Sequence, residues 1–236
     1  MSALIKNSPE HGSYWSLRLL ALLQDMAAQN TNAVLTILAD VDHLKTECRY
    51  PESGLLFADK RWRAFYHCHE ATSMHVNEHG HFHLFTDIGN QAWAHVAGLS
   101  IDAEGQPLQW FMVNRWVTDG PWLERTVFPD QLKYVTANDE DERLVASWLG
   151  ALLQLYQNTL SDLLMKRDEQ VKVNLTRHLT GHLKQRSMKD TLDDREIYTL
   201  ATQAIDLQFT LEKHLLANHS TVPDPIENKE NVQQGV

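Results

Sequence analysis

Residues 80–85 read GHFHLF, with His79 just before them, and that strict alternation of imidazole and apolar side chain is the strongest constraint on the fold. In an extended strand, side chains two apart share a face at a separation of roughly 7 Å. His79, His81 and His83 therefore project together, with Phe82 and Leu84 opposite. His67 and His69 repeat the arrangement earlier in the chain, and the thirty residues from Tyr66 to His95 hold seven of the thirteen histidines. Two imidazole ladders so close in sequence suit a metal site on a small antiparallel sheet, because neutral imidazole binds zinc, copper, iron and nickel.

Composition narrows the partners. A formal charge of −10 repels nucleic-acid phosphates and anionic membrane surfaces, so neither is expected as the main partner. The 236 residues suffice for one large domain burying roughly 70 to 75% of its unfolded surface. Cys48 and Cys68 are the only cysteines, and no signal-like apolar segment or long apolar run is present, so the expected location is a reducing cytoplasm. Five of the seven tryptophans, Trp62, Trp93, Trp110, Trp116 and Trp122, share the central segment with the histidines. Its core should be aromatic.

The expected fold is α+β: a four-stranded antiparallel meander flanked by an N-terminal helical hairpin and C-terminal helices, as one domain over residues 1–219. Helical spacing of Trp15, Leu19, Leu22, Leu23 and Met26 predicts a helix from about Ser13, and Val34, Leu35, Leu38, Val41 and Leu44 predict a second, from about Asn32 to Cys48. This hairpin spans 13–48. From Leu55 to Thr118 the period becomes two, and the predicted strands are Arg61–His69, His79–Thr86, Gln91–Asp102 and Leu108–Thr118. The loop Glu70–Glu78 carries His75. Short connections favour sequential pairing, which places His95 beside the His79, His81, His83 ladder. Helices are expected over 138–217: one capped by Asn138 and running to about Lys166, one over Glu169–Arg186 and one over Asp193–Leu216. The tail 220–236 is polar and expected to be disordered.

The candidate metal ligands are His67, His69, His79, His81, His83 and His95. Three alternate residues of one strand cannot all reach one ion, since the outer two lie roughly 13 to 14 Å apart, so at most two of His79, His81 and His83 bind directly. Zinc or iron is the expected ion. Three imidazoles and a water point to zinc hydrolysis, and two imidazoles with a carboxylate point to non-haem iron. Glu78 is the candidate carboxylate, or general base. Cys68, between His67 and His69, faces away from them and reads as a buried small residue. His178 and His182, i and i+4 on a cationic helix face, are left out of the site. The bland alternative is a set of ordinary histidines hydrogen-bonded to one another and to carboxylates.

Arg115, alternating with Phe111, Val113 and Val117, is either buried against a carboxylate or offered to an anionic small-molecule substrate. Asn114 is a candidate for orienting a histidine ligand.

EHGHFHLF at Glu78–Phe85 and NRWVT at Asn114–Thr118, joined by HVAGLSIDAEGQP, resemble a bacterial protein family with no established activity. The resemblance covers Trp62–Trp122 and implies that this segment is the functional core; it transfers no mechanism. A cupin also carries HxH on a strand, but its glutamate and later histidine do not follow at matching distance here. The expected function is a metal-binding protein with a histidine-rich site, open to a metal-dependent hydrolytic or oxidative role on a small anionic substrate. The competing class is a non-enzymatic haem or small-ligand binder, or an interaction protein without metal. Homo-oligomerisation is left open.

Overall fold

The computed structural model describes residues 9–70, 76–135, 144–175 and 186–217. Helix α1 spans Pro9–Ala28 and buries Trp15, Leu19, Leu22 and Met26, a stripe of helical spacing. It begins earlier than the Ser13 expected. Asn30, at φ 52°, turns the chain out, and Asn32 caps a second helix, α2, by accepting from the Leu35 amide.

That helix covers only Ala33–Ile37, so the expected hairpin over 13–48 is corrected. Between Ala39 and Arg49 every residue but Val41 is exposed, including Leu44 at 40%. A helix of marginal propensity persists only where its apolar stripe is packed, and this stripe meets the core no further than Leu38, with Leu44 exposed.

The sheet has six strands rather than four: β1 Tyr50–Leu56, β2 Trp62–His67, β3 Gly80–Asp87, β4 Trp93–Ile101, β5 Pro107–Val113 and β6 Thr199–Ala204. Their spatial order is their sequence order, and every neighbouring pair is antiparallel. β1 carries Pro51 and Gly54, residues that weaken a strand prediction; it is an edge strand, where both are tolerated. β6 lies inside the segment expected as one helix over Asp193–Leu216. Leu200, Ala204, Leu207 and Leu211 mimic helical spacing, but the backbone of 199–204 satisfies itself along β5.

The expected strand to Thr118 ends at Val113. Asn114 accepts from the Arg115 amide and caps a helical turn, α3, Arg115–Thr118. A 3-10 turn, Arg125–Val127, leads into α4, Phe128–Leu132. Helices α5, Leu144–Leu155, and α6, Gln157–Leu175, follow. They join at Tyr156, so the break falls well before the expected one at Lys166. A short α7, Met188–Leu192, precedes β6, and α8, Leu207–Ala217, follows it. The expected Asn138 cap, His75, His178, His182 and the tail 220–236 lie outside the described residues. No helix among the described residues is long and apolar enough to cross a membrane.

One face of the sheet makes the core. Trp62, Ala64, Tyr66, Phe82, Leu84, Leu99, Trp110 and Met112 are essentially inaccessible and pack with Leu19 of α1 and Trp148, Leu149 and Leu152 of α5. Phe82 meets Trp148 at 6.0 Å between ring centroids. Burying one face on helices leaves the other, with its alternating histidines, for a second purpose.

Candidate metal centre

The register of β2 on β3 sets His67 opposite His81 and Phe65 opposite His83. Directly opposed residues share a face with Cβ atoms about 4.5–5.5 Å apart, and ring centroids lie 4.4 Å apart for His67 and His81, 4.9 Å for His67 and His83 and 5.0 Å for His81 and His83. One ligand nitrogen from each of His67, His81 and His83 falls within 4.8 Å of the other two, a grouping able to hold a metal ion. Tetrahedral zinc with bonds of about 2.0–2.1 Å sets its ligand nitrogens about 3.3 Å apart, so small ring rotations close the site.

Two local devices complete this face. The β3–β4 register shifts by one between Leu84 and Phe85, so that Phe85 faces His95. Because a one-residue slip moves a side chain to the other face, the shift turns His95 to the histidine side, where its Nε2 lies 2.9 Å from Nδ1 of His83. The second device is Gly98, opposite both His83 and Phe111. A Cβ at Gly98 would stand 2.1 Å from the Phe111 ring. Its absence lets Phe111 lie across β4, edge-on to His81 at 5.1 Å and His83 at 5.8 Å. Phe65, 5.3 Å from His83, adds apolar wall.

His67 Nε2 and His81 Nε2 stand 2.6 Å apart. On its other side, Nδ1 of His81 lies 2.5 Å from Glu78 Oε1, both side chains 5% exposed. A carboxylate accepts, so Nδ1 of His81 carries the proton and Nε2 presents its lone pair to the cluster. Burial first, then the neighbouring His81, His69 and Arg49, pull the His67 pKa down to about 3. His83 is held well below its ordinary value, by burial and then by His95, His81, His67 and His69. His95 is lowered to about 3 by burial, then by Arg167 and His81. Neutral imidazoles are what metal ligation needs.

The other expected residues are placed differently. His69 lies at the rim, its ring 4.7 Å from His67 and 5.2 Å from His81, hydrogen-bonded to Glu47. His79 is drawn away from the ladder: its Nδ1 bonds Tyr66 Oη at 2.5 Å. Gly80 permits this, since a Cβ there would meet that hydroxyl at 2.2 Å. Arg115 leaves the sheet with α3 and pairs with Asp193. Asn114 makes its side-chain hydrogen bonds elsewhere: its amide donates to Thr191 O at 3.0 Å and Asp194 O at 3.5 Å, tying α7 to the end of β5. Cys68 is buried.

Sequence reading missed Glu47, Phe65 and Phe111. Glycine within a strand, which often marks a close approach, was the available signal for Phe111. No such signal existed for Glu47, whose role depends on the chain folding back beside β2, where its amide donates to Cys68 O.

Comparison with curated proteins and with solved structures finds no match. The family model for a domain of unknown function, DUF6969, matches residues 15–205, a span that takes in most of α1 and all of β6 and so reaches beyond the Trp62–Trp122 segment on which the resemblance rested. The histidine-bearing sheet and its helical cover together make one recognisable unit, and the chain belongs to the DUF6969 family.

Proposed function

We propose that this chain is a transition-metal-binding protein whose ion is held by His67, His81 and His83. The observation that carries the reading is the convergence of the three imidazoles, with a ligand nitrogen of each within 4.8 Å of the others. Glu78 then serves as the carboxylate that fixes the His81 ring, and His95 holds His83 in the same way. Such supporting contacts raise ligand basicity and fix the tautomer. Zinc is the first candidate and iron the second, given an all-imidazole set.

Three protein ligands leave one tetrahedral position for water or substrate, the pattern of catalytic rather than structural zinc sites. Zinc there would supply a nucleophilic hydroxide at neutral pH, and iron would supply oxygen chemistry. With Glu78 committed to His81, proton transfer at the open position falls to the rim, where His69 and Glu47 stand. We place Arg115 outside the immediate shell, since Asp193 occupies its guanidinium.

The test is metal titration of chelator-stripped, tag-free protein by calorimetry and elemental analysis. The expected result is one ion per chain. His67→Ala, His81→Ala and His83→Ala should each abolish tight binding, Glu78→Gln should weaken it about 10–100-fold, and His79→Ala should bind like the parent. Failure to retain zinc, iron or cobalt, or equal loss with His79→Ala, would overturn the reading.

A further inference from the structure

The histidine face carries two arginines that no carboxylate among the described residues neutralises. Arg63, on β2 two residues before Phe65, places its guanidinium carbon 5.3 Å from the Phe85 ring centroid and 4.6 Å from that of Trp93. Arg49, just before β1, lies 4.7 Å over Phe65. Phe65 and Phe85 are stacked at 5.4 Å, so the two guanidiniums rest on one aromatic platform. That platform abuts the metal ligands: Phe65 is 5.6 Å from His67 and 5.3 Å from His83.

Neither arginine has a carboxylate partner among the described residues, although Arg61, Arg115, Arg167 and Arg186 all do. In a chain with 31 acidic against 21 basic residues, two neighbouring arginines without an anion between them are unexpected. The Nε of Arg63, like those of Arg61 and Arg115, is buried with no hydrogen-bond partner among the described residues, but Arg63 has no carboxylate beside it to offset the cost. Burial, and after it the charge of Arg49, pull the Arg63 guanidinium below its ordinary value.

We propose that Arg49 and Arg63 form an oxyanion clamp that takes the carboxylate or phosphate group of a small-molecule ligand lying over Phe65 and Phe85. The planar guanidinium fork matches both groups, and stacking on aromatic rings orients it. The clamp uses residues distinct from the metal ligands; only its role in presenting a substrate to the ion rests on the metal reading.

The probes are inorganic phosphate and acetate, titrated by calorimetry into stripped and into zinc-loaded protein. At least one should bind saturably, and Arg49→Gln and Arg63→Gln should each weaken it about tenfold or more, the worth of a charge-assisted hydrogen bond. Lys133→Gln, which removes a charge from an exposed pair with Asp130, should bind like the parent. Arg49 is exposed, so its variant keeps the test valid should Arg63→Gln fail to fold. Binding that ignores both arginine substitutions, or no binding of either probe at about 10 mM, overturns the clamp. Arginine-dependent anion binding in a protein that takes up no metal sustains the clamp and removes the metal reading.

Discussion

Acid should destabilise this protein early, because its buried histidines are held neutral. His83 is 1% exposed and His95 9%, and both are depressed, His95 to about 3. In the unfolded chain each titrates near 6.5. Below that value the unfolded state binds protons that the folded state refuses, so stability rises with pH up to about 6.5 and is lost as pH falls, in the case of His95 down to about 3. At about pH 5.5 the refusal of a proton by His95 costs on the order of 1 kcal/mol, His83 adds to it in the same direction, and the cost grows as pH falls further. Against a typical total of about 5–15 kcal/mol, a loss of that order moves the denaturation midpoint measurably. The assay is urea denaturation of chelator-stripped protein at intervals from about pH 7.5 to 4.5, with the midpoint followed by tryptophan fluorescence. His95→Gln should flatten the slope by on the order of 1 kcal/mol per pH unit. A stability that stays level down to about pH 5 would refute the argument, since it would mean that the folded state takes up the same protons as the unfolded chain.

Gly98→Ala should cost about 1–3 kcal/mol by overpacking, because the new methyl would meet the Phe111 ring at 2.1 Å; thermal melts read it, and metal affinity should fall with it as Phe111 moves off His81 and His83. Asn114→Ala removes the cap of α3 and both hydrogen bonds to the α7 segment. It should lower stability by about 1–3 kcal/mol and speed proteolysis near Thr191, with metal stoichiometry unchanged.

Strands β2 to β5 were legible because their alternation reports directly on which side chains meet the core, and the histidine face follows from the same period of two. β1 was not legible, since Pro51 and Gly54 argue against a strand until its edge position is known. β6 was hidden for a different reason: the apolar residues from Leu200 to Leu211 satisfy helical spacing equally well, and only the open edge of β5 decides between them. At the site, the convergence of His67 with His81 and His83 follows from antiparallel pairing alone. The departure of His79 does not, because it depends on the Tyr66 hydroxyl passing over Gly80. The assignment of Arg115 turned on whether the strand continued past Asn114, and a side-chain cap ended it. Arg49 and Arg63 carried no local pattern at all; their interest lies in the carboxylates they lack.

By hydrogen-bond accounting, these imidazoles can be satisfied in two ways, with protons alone or with an ion. Each neutral ring has one N–H and one lone pair. The N–H of His81 is spent on Glu78, so its Nε2 must accept, and the atom it faces is Nε2 of His67. A metal-free pair is satisfied only if His67 adopts the tautomer with its proton at Nε2, which leaves that ring unable to ligate through the same atom. A cation between the two nitrogens removes the constraint, allowing both lone pairs to point inward while the His67 proton moves to Nδ1. The same choice recurs at His83, where a proton on Nδ1 donated to His95 frees Nε2 for an ion. The fold thus commits a core-forming sheet to holding several lone pairs together in a dry place. On the proposed metal reading, one divalent ion would satisfy them together, whereas without it protons are shared out ring by ring against burial and mutual repulsion.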